Sequence, residues 1–67
     1  MIQIKVNGKW CEFPEGTTVA DILDAMGGSR QGVAVAMNGV LVRRGSWVGV
    51  VVPAGASVDV LTAVQGG

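Results

Sequence analysis

Histidine and tyrosine are absent from the 67 residues, and phenylalanine and cysteine occur once each. Without histidine there is no imidazole base and no histidine-containing metal site. A single cysteine forms no internal disulfide and supplies no iron–sulfur ligand set. Charge of one sign is not in excess: five basic residues balance five acidic ones. That leaves no electrostatic footprint for nucleic acid. Long apolar runs are missing too, since no stretch approaches the ~18 residues that a membrane span requires. The opening Met1-Ile2-Gln3-Ile4-Lys5 carries neither the charged n-region nor the apolar h-region of a signal peptide. We therefore expect a cytoplasmic protein with no nucleic-acid or membrane partner.

What is present is apolar. Hydrophobic residues make up 49% of the chain and thirteen residues are valine, too much for a disordered segment. At roughly 100–200 residues per domain the expectation is a single domain over residues 1–67. A chain this short buries only about 60% of its unfolded surface, so its core is thin. It scarcely supplies a cleft and, lacking a histidine base, points to a carrier, adaptor or binding module rather than an enzyme.

Residues 2–13 predict a β-hairpin. Ile2, Ile4 and Val6 alternate with Gln3 and Lys5, the period of a half-buried strand. Asn7-Gly8 is the strongest short hairpin signal, because a type I′ turn needs positive φ at both central positions. The two-residue loop sets Val6 against Lys9, Ile4 against Cys11 and Ile2 against Phe13. Cys11 then points inward and Trp10 outward beside Lys5. Pro14-Glu15-Gly16 reads as a turn. Thr18 reads as a helix N-cap with Asp21 three residues on, and Thr17 is the alternative cap. Val19, Ile22, Leu23 and Met26 form one apolar helix face, which Gly27-Gly28 ends.

Residues 33–37 predict a strand with Val33, Val35 and Met37 on its heavier face, and Asn38-Gly39 predicts a second turn leading into a short strand at 40–42. Ser46-Trp47-Val48 is ambiguous between a turn and a short helical segment. Pro53-Ala54-Gly55-Ala56 is another turn. The last strand runs from Ser57 to Thr62, with Val58 and Val60 inward and Asp59 and Leu61 outward. The order β-β-α-β-β-β, with the first and last strands side by side in parallel, gives an α+β domain. A mixed sheet of four to five strands packs on one helix, and residues 64–67 are expected to form a flexible tail.

The last two residues are Gly66 and Gly67. Terminal glycines are commonly no more than a frayed end. Their chemistry also suits a second reading. Without Cβ atoms the final peptide threads a narrow channel and turns at any φ, carrying a carboxylate that is charged at neutral pH. Such a carboxylate can attack the α-phosphate of ATP inside another protein, and a sulfur nucleophile can then displace AMP to leave a thiocarboxylate.

Several stretches together resemble the ThiS family, the sulfur carriers of thiamine biosynthesis. They are Ile2-Gln3-Ile4-Lys5-Val6-Asn7-Gly8, Val33-Ala34-Val35-Ala36-Met37-Asn38-Gly39, Val42-Arg43-Arg44 with Trp47, Ser57-Val58-Asp59-Val60-Leu61 and Thr62-Ala63-Val64-Gln65-Gly66-Gly67. The departure is at Ala54-Gly55-Ala56-Ser57, where the family usually carries Gly-Asp; Ala56 removes a turn carboxylate and reads as a loop variation. The resemblance implies a ubiquitin-like β-grasp fold. It also implies that an E1-like adenylyltransferase, ThiF, activates the Gly67 carboxylate with ATP. Sulfur from a cysteine-desulfurase route then replaces AMP, and thiazole synthase, ThiG, takes that sulfur into the thiazole ring. ATP belongs to the partner, and no cofactor is expected on this chain. The alternatives are a molybdopterin-synthase small subunit, which is longer and typically has a Pro-containing run before Gly-Gly, and a non-covalent β-grasp interaction module.

Gln65, Gly66 and Gly67 are thus the candidate working tail. Leu61, Ala63 and Val64 are candidate partner-binding residues, because apolar surface beside a reactive end is covered when a partner docks. A carrier that visits several partners is expected to be monomeric alone. Cys11, pointing inward, reads as a small apolar filler rather than a sulfur acceptor. Trp47 reads as an anchor. Trp10 is either a partner contact or an ordinary exposed aromatic. Arg43 and Arg44 are either solvated charges or pairs for acidic partner residues.

Overall fold

In the computed structural model, which describes residues 1–27 and 32–62, both Asn-Gly pairs take up the backbone that a type I′ turn demands. Asn7 and Gly8 have φ of 51° and 82°, and Asn38 and Gly39 have 52° and 81°. The first turn joins β1 (Ile2–Val6) to β2 (Lys9–Phe13) in the expected register, with Ile4 opposite Cys11 and Lys5 opposite Trp10. Cys11 is half-buried and packs against the core. Trp10 faces solvent with the Lys5 Nζ 5.9 Å from its ring centroid.

The chain then turns at Pro14, whose carbonyl accepts bonds from the Thr17 backbone N–H at 3.2 Å and hydroxyl at 2.6 Å. This occupies Thr17 and leaves Thr18 as the N-cap of α1 (Val19–Ala25). The Thr18 hydroxyl accepts from the Asp21 N–H at 3.2 Å, and the Asp21 carboxylate accepts from the Thr18 N–H at 3.0 Å. That reciprocal pair satisfies two orphan donors of the first turn. A helix of 7 residues is unstable alone. It persists here because Val19, Ala20, Ile22 and Leu23 are buried against the sheet. Met26, expected on the same face, is instead 47% exposed. The helix ends at Ala25 and Met26 is the C-cap residue, so its side chain leaves the packed stripe. Gly27 follows with φ of 75°; Gly28 lies outside the described residues.

The second turn joins β3 (Val33–Met37) to β4 (Val40–Val42). A 3-10 turn at Arg44–Ser46 then delivers Trp47 into the core. Trp47 is 3% exposed and its indole N–H donates to the Val42 carbonyl at 3.0 Å. Val51 forms an isolated bridge to Thr18, and the chain turns again at Gly55 to enter β5 (Ser57–Thr62). Ala56, read from sequence as part of a loop variation, is 3% exposed and belongs to the core.

The sheet has five strands in the order β2-β1-β5-β3-β4. β5 runs parallel to β1, with Lys5 opposite Ser57 and Val6 opposite Val58, and antiparallel to β3, with Val33 opposite Thr62. One face carries Ile4, Val6, Val35 and Val58 onto α1 and Trp47, which together form the core. The other face is open, because the chain has a single helix among its described residues. This is the β-grasp arrangement expected from the sequence.

Candidate functional site

β5 is the strand on which every candidate site residue depends, and two turns hold it from opposite sides. On the β1 side, the Lys5 N–H donates to Ala56 O at 2.9 Å and the Asn7 N–H to Val58 O at 2.9 Å. The Asn7 side chain then continues the ladder where β1 has ended: its Oδ1 accepts from the Val60 N–H at 2.7 Å. On the β3 side, the Asn38 N–H donates to Ser57 O at 2.7 Å, and Asn38 Oδ1 accepts from the Ser57 N–H at 2.9 Å. Each asparagine therefore does two jobs. It supplies the positive φ of its hairpin, which asparagine tolerates better than most residues, and it extends the backbone pairing of the central strand.

Alternation along β5 puts Val58 into the core and leaves Asp59 and Leu61 on the open face. Leu61 is 63% exposed. Its neighbour across the β3 ladder is Ala34, and Ala36 next to it on the same face lies opposite Asp59 and Leu41. Leu41 is 69% exposed. Leu41 and Leu61 thus stand exposed on the open face around Ala34 and Ala36, with Asp59 next to Leu61 along β5. Leu41, Ala34 and Ala36 were not singled out from sequence. The signal was there: an Asn38-Gly39 turn that pairs Met37 with Val40 necessarily sends Leu41 to the face opposite the core.

Of the remaining candidates, Ala63, Val64, Gln65, Gly66 and Gly67 lie outside the described residues. Arg43 and Arg44 are exposed, Arg43 continuing from β4 with extended backbone and Arg44 opening the 3-10 turn. The Cys11 thiol points to the Lys9 carbonyl at 3.6 Å, on the side of the sheet that faces the core. Among the described residues no group of three or more cysteines, aspartates or glutamates is placed to hold a metal ion, and no helix is long and apolar enough to cross a membrane. An open depression of about 330 Å³ lies between the Pro14 turn and the start of α1, lined by Phe13, Pro14, Glu15, Gly16, Thr17 and Asp21. Asp21 is committed there to the helix cap.

The model of the ThiS family matches residues 4–67. Among solved structures, the chain is similar to the crystal structure of the thiamine biosynthesis protein (ThiS) from Geobacter metallireducens. The two are 28% identical, the alignment covers 98% of this chain and 100% of that one, and the TM-score is 0.83. No curated protein sequence matches.

Proposed function

The chain belongs to the ThiS family, and from that membership we propose that it is a sulfur carrier whose working group is the carboxylate of Gly67. The observation that carries this reading is the family match running through the Thr62-Ala63-Val64-Gln65-Gly66-Gly67 end of the sequence. The reaction has three steps. A carboxylate oxygen of Gly67 attacks the α-phosphorus of ATP held by a ThiF-like adenylyltransferase; a P–O bond forms, pyrophosphate leaves and an acyl-adenylate remains. Persulfide sulfur delivered from a cysteine desulfurase then attacks the acyl carbon and AMP leaves; a thiol reductant cleaves the S–S bond of the resulting acyl disulfide, and Gly67 ends as a thiocarboxylate. Thiazole synthase, ThiG, is the acceptor of that sulfur.

In this scheme the protein is a co-substrate and not a catalyst. ATP sits on the partner, and the carrier binds no cofactor of its own. Its fold supplies a fixed β5 from which the working end is presented, and Leu41 and Leu61 as apolar surface for partners to cover. With Ala63 and Val64 they make up the proposed docking area. The carrier works as a monomer in the cytoplasm, moving between partners.

Intact mass spectrometry tests the scheme. Incubated with the adenylyltransferase, ATP and a sulfur source, the protein gains the mass difference between sulfur and oxygen, confined to the C-terminal glycine. Deleting Gly67 abolishes the gain while the melting curve stays the same. An unchanged mass for the full chain would leave the non-covalent interaction module as the correct reading.

A further inference from the structure

A net charge of zero conceals an uneven distribution along the strands. The end of the sheet where β5 finishes holds positive charge. Val42 pairs with Val35, and Ala34 pairs with Leu61. Arg43, one extended residue past Val42, therefore lies level with Ala34 and Leu61, and Arg44 follows it. Lys9, opposite Val6 and so level with Val58, lies nearer the start of β5 and takes no part in this end.

The opposite end is acidic. Gly55 donates to the Gln3 carbonyl, and Gln3 pairs with Glu12, so Glu12 sits near the start of β5. Glu15 and Asp21 line one depression just beyond β2. The exceptions among the described charges are Lys5 and Lys9, level with Ser57 and Val58, the Met1 ammonium before β1, Asp59 on the open face two residues before Leu61, and Asp24 on the helix layer. From Gly55 to Thr62 is roughly 23 Å at about 3.3 Å per residue, nearly three Debye lengths at physiological ionic strength. A docking partner thus meets each end as a separate charged surface, and neutrality of the whole does not cancel either one.

We propose that Arg43 and Arg44, set beside Leu41 and Leu61, make the β5 exit a cationic docking end that fits a partner groove with an apolar floor and a carboxylate rim. The inference rests on the carrier reading above and names the chemistry of the activating partner's entrance. An acidic rim draws in the arginine end first and orients the carrier so that the exit, not the Glu12–Glu15–Asp21 end, arrives at the groove. Steering of this kind raises the association rate and specifies orientation more than it deepens affinity.

Stopped-flow association with the purified adenylyltransferase tests this, using the full chain, R43E/R44E, and R43E/R44E/E12K/E15K, whose net charge is again zero. All four positions are exposed, so the melting curves should coincide. The wild-type association rate is expected to fall as salt rises. R43E/R44E is expected to associate about tenfold more slowly at low salt, with the gap closing at high salt. The charge-restored variant is expected to stay slow, because the end and not the total is what the partner reads. Equal rates for wild type and R43E/R44E, a wild-type rate indifferent to salt, or recovery in the charge-restored variant each overturn the proposal. Mass-detected sulfur loading at saturating partner is read in parallel. A wild type that loads but shows no arginine dependence sinks this inference alone, whereas a wild type that neither binds nor loads sinks the carrier reading with it.

Discussion

Replacing Asn7 separates the two jobs that this residue performs. In Asn7→Ala the Val60 N–H loses its 2.7 Å acceptor, a loss of about 1 kcal/mol for a solvent-accessible backbone donor. Alanine must also hold φ near 51°, where its Cβ crowds the carbonyl at a cost of about 1–2 kcal/mol. The sum is about 2–3 kcal/mol. A domain of 67 residues has a total stability on the order of 3–10 kcal/mol, so the fraction lost is large. At about 4–8 °C per kcal/mol for a chain of this size, the midpoint should drop by roughly 10–20 °C. In Asn7→Gly the φ is free and only the acceptor is lost, so the drop should be about 4–8 °C. In Asn7→Asp the acceptor is kept and the loss should be smaller still. Thermal and urea melts followed by fluorescence measure all three, since Trp47 is buried and reports on the core. Equal losses for alanine and glycine would refute the backbone argument, and an aspartate variant as unstable as glycine would refute the role of Oδ1.

Thr18→Ala removes one half of the capping box and should cost about 1 kcal/mol, read as a lower urea midpoint at unchanged m-value. Trp47→Phe strands the Val42 carbonyl and leaves a gap where the indole edge was; a loss of about 2–3 kcal/mol is expected by denaturant titration. Leu41→Asp and Leu61→Asp lie on exposed positions and should shift stability by no more than about 0.5 kcal/mol. Each should weaken binding to the adenylyltransferase at least about tenfold by calorimetry, and undiminished binding would remove the open face from the docking area. Cys11→Ser should load sulfur as fast as the parent chain in the mass assay, since the thiol takes no part in the proposed transfer.

Much of the architecture is readable from short-range chemistry. Asn7-Gly8 and Asn38-Gly39 are each followed by a strand whose register a two-residue turn determines, and both registers appear in the structure as the turn requires. Thr18 and Asp21 mark the helix start. Long-range arrangement is less accessible. The element order gave the parallel pairing of β1 with β5, which the structure shows; that β3 lies on the other side of β5 depends on which hairpin edges meet after collapse, and no local pattern encodes that. The 3-10 turn at Arg44–Ser46 is too short to show a period, so Trp47 was readable as an anchor while the backbone around it was not. Met26 matched the helical spacing but fell at the cap, because spacing says which residues share a stripe and not where the helix stops. On the open face, Leu61 was found from its own strand. Leu41 was missed because its importance comes from standing with Leu61 around Ala34 and Ala36, neighbours on another strand.

The central place of β5 bears on how the protein comes into being. Its 57–62 segment is the wedge between two hairpins that otherwise share no strand pairing, and its contacts with β1 join residues more than fifty positions apart. Such distant closure is slow relative to hairpin formation. A product of interrupted synthesis ending before Ser57 consists of two half-sheets with nothing to bridge them. It should show no cooperative unfolding and expose its valines to proteases. Such a truncated chain lacks the strand that carries Leu61 and so cannot assemble the face proposed for docking.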